Sequence, residues 1–321
     1  DWGRIVRVRT VGDLNERIAK KKIDDFIDVN EAYQEKRIAL LAEQIAQRKG
    51  QLKWILIAGP SSSGKTTFAH RLTLALRVLG LRPMKISLDD YYRNREDIPL
   101  GDDGRPDLET LDTLDVPLLD EHLVKLLQGE GVDAPTFDFK AGRRADATIR
   151  LSAAADQPIV IEGIHGLNDA LTESVPRELK FKIYISALTM LNLDDHNRIR
   201  TTDARLLRRN VRDRQFRGTP PEETMAMWPS VRRGEENYIF PFQEEADAMF
   251  NSSLAYELPI MKKYVYPVLL EIGPGSEHYT LARRLVKFLN YIRTADVEDE
   301  IPINSILREF IGGNCFYRET D

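Results

Sequence analysis

Hydrophobic residues follow two patterns along this chain. Short, mainly apolar runs predict five strands: Trp54–Ala58, Met84–Leu88, Ile159–Glu162, Phe181–Ile185 and Val268–Ile272. Between most of them apolar residues return at three- and four-residue spacing, as on a helix with one buried stripe. Residues 1–50 predict an irregular lead and then one amphipathic helix, with Ile38, Leu41 and Ile45 on its stripe and Gly50 as its stop. A helix is expected from Thr66 to Leu79, ended by Gly80, and another over Leu281–Ile292. Strands without clean polar alternation, separated by helices, are buried on both faces and belong to parallel sheets. The expected fold class is therefore α/β, a doubly wound parallel sheet with helices on both faces. The Pro/Gly/Asp-rich stretch Pro99–Asp107 reads as a loop. Residues 51–295 read as one domain and 296–321 as an appendage, with a helix packed on the body.

Candidate chemistry sharpens this picture at the first strand. Gly59-Pro60-Ser61-Ser62-Ser63-Gly64-Lys65-Thr66 matches G-x-x-x-x-G-K-[ST] and lies between a predicted strand and a predicted helix. Glycines at its two ends let the backbone curl, so that successive N–H groups from Ser61 to Thr67 point at phosphate oxygens. The helix that follows aims its positive end at the same anion. Lys65 neutralises charge on the β- and γ-phosphates, and the Thr66 hydroxyl suits Mg²⁺. The fold is thus expected to be of the P-loop NTPase type, with ATP and Mg²⁺ as cofactors.

Two further strand ends carry carboxylates. Ile86-Ser87-Leu88-Asp89-Asp90-Tyr91-Tyr92 places an acidic pair where a buried strand stops, and in open α/β sheets that end faces the ligand crevice. A carboxylate there can take the proton of an attacking hydroxyl; capping a turn is the plainer reading. Glu162 ends the strand Ile159–Glu162, the position of an acid that holds a Mg²⁺ shell. No Asn-Lys-x-Asp guanine-reading motif occurs, which argues against a GTPase.

Composition narrows the class. A chain of 321 residues with 42% hydrophobic and 30% charged residues supports a sizeable core. It lacks an apolar run of about eighteen residues, so no membrane span is expected. Cys315 is the single cysteine, which excludes an internal disulfide and fits a reducing compartment; the expected location is cytoplasmic. The five histidines lack ligand spacing, so zinc has little support. A net charge of −5 argues against a dedicated nucleic-acid binder, and a homo-oligomer stays open. Eight arginines nevertheless crowd residues 198–217, with Arg205, Arg209 and Arg212 on one helix face. A phosphate-clamping lid over about 198–235, an RNA-binding stripe and a solvated helix paired to Asp203 and Asp213 are the three readings; beside a phosphate loop the lid is preferred.

In order and spacing, these segments resemble the uridine kinase/phosphoribulokinase family of P-loop kinases over roughly residues 52–272. The resemblance rests on Gly59–Thr66, Ser87–Tyr92, Leu114–Leu119, Pro135–Phe139, Glu162–Ile164 and Asp203–Asp213. It implies Asp89 as general base close to Mg²⁺, and Glu162 with Thr66 on the metal. It further implies Arg209, Arg212 and Arg217 on phosphates, and Tyr92 and Arg144 at the acceptor. Glu109 stands where uridine kinases grip the ribose hydroxyls with aspartate. Phe137 and Gly142 stand where those enzymes read the pyrimidine with tyrosine and histidine, so altered specificity is expected. Lys140 and Arg143 add positive charge nearby. The flanking segments Asp1–Arg4, Glu31–Lys36, Trp228–Glu235 and Asn304–Gly313 are similar to a bacterial subgroup in which threonyl-tRNA-synthetase-like modules precede the kinase; residues 1–50 would then end such a module or linker.

The expected activity is transfer of the γ-phosphate of ATP to a hydroxyl of a small metabolite, foremost the 5′-hydroxyl of a nucleoside. A sugar or sugar-phosphate acceptor of the phosphoribulokinase type is the alternative. A non-catalytic, RNA-linked nucleotide-binding module is the alternative of another class.

Overall fold

Burial decides which apolar runs become strands. The computed structural model describes residues 2–98, 107–154, 157–173 and 175–316, so most of the predicted loop 99–107 lies outside them. In chain order the strands are β1 (Trp54–Ala58), β2 (Met84–Ser87), β3 (Val132–Ala134), β4 (Phe137–Asp138), β5 (Arg143–Arg144), β6 (Ile149–Leu151), β7 (Ile159–Glu162), β8 (Lys180–Ser186) and β9 (Ala248–Asn251). Five of them build one parallel sheet in the order β2-β7-β1-β8-β9, while β3 with β6 and β4 with β5 form small antiparallel ribbons. The fold is α/β with a parallel central sheet, as the apolar patterning predicts.

Every residue of β1, β7 and β8 is buried, and alternate side chains serve opposite faces. Ile55, Ile57, Val160 and Ile183 join one core with α3 (Ile23–Ala46) and α4 (Lys65–Val78); Trp54, Leu56, Ile159 and Ile161 join a second with α5 (Val116–Leu127). Parallel register sets Glu162 opposite Ile57 of β1 on one side and Ser87 of β2 on the other. The sheet thus delivers the end of β7 level with the loop that leaves β1.

Two predictions need correction. Val268–Ile272 is not a strand: it is the end of α8 (Glu257–Leu270) and the turn after it. Leu258, Met261, Val265 and Val268 are buried at helical spacing, and a short apolar run looks the same in either setting. The fifth strand is Ala248–Asn251, an edge strand in which Phe250 alone is buried, so its apolar signal is faint. Nor is the lead irregular. Helices α1 (Trp2–Ile5) and α2 (Val11–Ala19) precede α3, and Thr10 with Asp13 forms a reciprocal cap at the start of α2.

Helices α6 (Thr201–Arg212), α7 (Pro221–Tyr238) and α9 (Tyr279–Asn290) complete the layers, and a four-residue α10 (Arg308–Ile311) lies in the tail. Ile306, Leu307 and Phe310 are fully buried in the α3/α4 core. Glu31 of α3 ties the flanks together: it accepts hydrogen bonds from Tyr256 (2.5 Å) and Ser305 (2.6 Å) and pairs with Arg71 of α4 (3.5 Å). Among the described residues, no helix is long and apolar enough to cross a membrane.

Candidate active site

The loop Gly59–Thr66 leaves β1 and enters α4 through two left-handed residues, Ser62 (φ 59°) and Gly64 (φ 81°). A β-carbon at Gly59 would overlap the carbonyl oxygen of Ile185, so only glycine lets the loop start so close to β8. The loop's carbonyls are tied from behind. Arg205 donates to the Ser61 carbonyl at 3.0 Å, Arg208 to that of Ser62 at 3.4 Å, and the Ser252 hydroxyl to that of Ser63. A planar peptide that turns its carbonyl away from the cleft turns its N–H toward it, which is how a phosphate nest is made. Ser61, Ser62, Ser63, Gly64, Lys65 and Thr66 all line one cleft of about 730 Å³. Burial pulls the Lys65 ammonium below its ordinary pKa, while Glu162, Asp89 and Glu309 act to keep it charged.

Glu162 is buried at the sheet's carboxyl end, where its carboxylate accepts from Thr66 Oγ1 at 3.2 Å and Ser87 Oγ at 2.9 Å. Burial, and then the charge of Asp89, push its pKa up to about 7. Asp89 is the second residue of the 3₁₀ turn Leu88–Tyr91 after β2 and lines the same cleft. Its neighbour Asp90 accepts the Phe137 N–H at 3.4 Å. Two carboxylates and a hydroxyl beside a phosphate nest fit Mg²⁺, which keeps its waters and phosphate oxygens and needs few protein ligands. Among the described residues no cluster of three or more His, Cys, Asp or Glu offers a complete cage for a metal.

Beyond Asp89 the cleft becomes aromatic. Tyr92 meets Phe137 edge-on at 5.7 Å, Phe137 meets Phe139 at 5.2 Å, and the Arg217 guanidinium lies 4.3 Å over Phe139. Glu109 is buried against this wall, and its Oε2 has no hydrogen-bond partner among the described residues. Burial raises its pKa, with Arg209 and Lys65 acting in the opposite direction. Gly234 of α7 makes room for it, since a β-carbon there would overlap that of Glu109.

The arginine cluster divides in two. Arg209, Arg212 and Arg217 line the cleft around Asp213, at 3.2, 2.8 and 3.8 Å from its carboxylate, and Arg209 also donates to Ser61 Oγ at 2.9 Å. Burial lowers the pKa of Arg209 and brings Arg217 to about 10; at Arg212 burial works the same way, but Asp213 more than restores the charge. Arg205 and Arg208 instead pair with buried Glu235 and Glu257 and brace the loop from outside.

Most residues singled out in the sequence thus converge on one cleft: those of the loop from Ser61 to Thr66, Asp89, Tyr92, Glu109, Phe137, Glu162, Arg209, Arg212 and Arg217. Three do not line it. Gly59 opens the loop and Thr67 follows it in the first turn of α4, and Arg144 is held by Asp115 at 3.1 Å and by the carbonyls of Tyr91 and Tyr92. Gly142 sits against Arg95 and does not itself line the cleft. Sequence reasoning missed Lys85 as a cleft residue; it bonds His70 at 2.8 Å. The two-residue period of β2, which sets Lys85 on the face of Ser87, was the available signal. It also missed Glu309 and Asn314, which no local pattern marks.

The chain is similar to known proteins. The sequence profile of the Phosphoribulokinase / Uridine kinase family matches residues 54–257. A uridine kinase of Deinococcus deserti is 30% identical over 195 residues, 60% of this chain and 84% of the relative. One from Lactobacillus johnsonii is 30% identical over 192 residues, 60% and 82%. A solved structure described as a possible uridine kinase from Bacillus stearothermophilus superposes with a TM-score of 0.46 at 19% identity, covering 67% of this chain and 98% of that one.

Proposed function

We propose, since this chain belongs to the phosphoribulokinase/uridine kinase family of kinases, that it transfers the γ-phosphate of ATP to the 5′-hydroxyl of a nucleoside with relaxed choice of base. The observation that carries this reading is the single cleft joining a phosphate nest, Asp89 and the Glu109–Phe137 pocket. The nest and Lys65 hold the polyphosphate, and Thr66 with Glu162 and Asp89 would hold Mg²⁺, which supplies charge neutralisation at the transferring group. Arg209, Arg212 and Arg217 face the charge that spreads over that group as it moves. Asp89 accepts the proton of the acceptor hydroxyl as its oxygen bonds to the γ-phosphorus and the bond from that phosphorus to the bridging oxygen breaks, releasing ADP. Glu109, with a spare carboxylate oxygen, suits the paired hydroxyls of a ribose. Phe137 offers a base a ring face rather than a hydrogen bond, and an apolar wall discriminates weakly between similar groups.

A sugar-phosphate acceptor is the second reading, favoured by Arg93 and Arg95 in the cleft lining. Product analysis with Mg·ATP against nucleosides, pentoses and pentose phosphates separates the two. Nucleoside 5′-monophosphates are the expected products; turnover of phosphorylated sugars alone would overturn the nucleoside reading.

A further inference from the structure

Helix α4 presents the N–H groups of its first turn to whatever anion the phosphate loop holds. One of them is already engaged: Glu309 of α10 accepts a hydrogen bond from the Thr67 N–H at 3.0 Å. The charge of this carboxylate also reaches Lys65 and Arg212, both cations of the same cleft. A helix N-terminus, a lysine and an arginine therefore all face a carboxylate of the protein's own.

The segment that carries Glu309 is anchored. Leu307 and Phe310 are fully buried, Ile306 packs so close to the loop that a β-carbon at Gly64 would overlap it, and Asn314 Nδ2 donates to Thr67 Oγ1 at 3.2 Å. Glu309 itself is half-buried. Rotation about its own side-chain bonds can withdraw the carboxylate while α10 stays in place.

We infer that Glu309 is a built-in competitor for the nucleotide: it occupies the position at the Thr67 N–H that a polyphosphate oxygen takes, and binding must displace it. This rests on the reading of the loop as a polyphosphate site. The physical ground is exclusion, since one N–H cannot serve two anions and like charges repel at such range. Nucleotide affinity in the native chain is reduced by the fraction of molecules in which the carboxylate is engaged.

Calorimetric titration of ATP and of inorganic tripolyphosphate into the native chain, E309Q and E309A, at fixed ionic strength and without acceptor, tests this. Thermal unfolding of each protein checks that it is folded, and the isosteric E309Q serves if E309A is not. Both probes should bind the variants about tenfold tighter, equivalent to about 1.4 kcal/mol. Unchanged or weaker binding overturns the proposal, as does tightening for ATP but not for tripolyphosphate, which would assign the effect to the base. Because no acceptor is present, failure of the nucleoside reading leaves these titrations intact. Absence of binding to any of the three proteins would overturn this inference together with the reading of the loop.

Discussion

Asp89 leaves the sheet where β2 runs out, and its side chain enters the cleft in which the loop and Glu162 also end. Asp89→Asn keeps the shape of the side chain and removes its capacity to take a proton. Turnover should fall by at least about 10²-fold while ATP binding, measured by calorimetry, stays near the native value; unimpaired turnover would remove Asp89 from the mechanism. At this scale legibility follows how local a role is. Lys65, Thr66, Asp89 and Glu162 belong to short motifs at strand ends, so sequence spacing alone located them. Arg205 and Arg209 share a helix face, so spacing does not separate them and the family resemblance alone singles out Arg209; the difference lies in what they meet, Arg205 the carbonyl of Ser61 and Arg209 its hydroxyl. Arg144 carries the right charge in the resembling motif, yet Asp115 and two carbonyls claim its donors.

Helix α7 shapes the proposed acceptor pocket through an absent side chain. Alanine is the better helix former by about 1 kcal/mol, but at position 234 its β-carbon would overlap that of Glu109. Gly234→Ala should therefore displace Glu109 and raise the acceptor KM by up to about 10²-fold, the cost of roughly 1 Å of misplacement. Steady-state kinetics with each substrate varied in turn should show the ATP KM nearly unaffected; equal changes in both would contradict a pocket-shaping role. Strands β1, β7 and β8 were legible as elements because they are mainly apolar runs, and β2 because Met84, Ile86 and Leu88 alternate with Lys85 and Ser87 after the turn at Gly80. The end of α8 was misread because its four apolar residues contain too little length to show a helical period, and β9 was missed because an edge strand needs little apolar surface.

For the molecule as a whole, the buried Glu162 links stability to pH. With its pKa raised from the ordinary 4.5 to about 7, the folded state binds the proton that the unfolded chain releases. Stability of the metal-free protein should thus decline as pH climbs from about 4.5 to about 7, by at most about 1.4 kcal/mol per unit, and level off above. Thermal midpoints between pH 5 and 8 should show this slope in the native chain and a shallower one in Glu162→Gln; parallel profiles would assign the slope to other groups. The flanks were the least legible part at this scale. The tail holds a four-residue helix and scattered buried residues without a period, and its place in the core depends on contacts with Gly64, Thr67 and Glu31 from the far end of the chain.

That contact of Ile306 with Gly64 has a genetic corollary. Random mutagenesis scored for loss of phosphotransfer should return lesions near residue 306 as readily as in the glycine-rich loop. On a linear allele map they would appear as two distant hot spots, although in space they mark the same few ångströms.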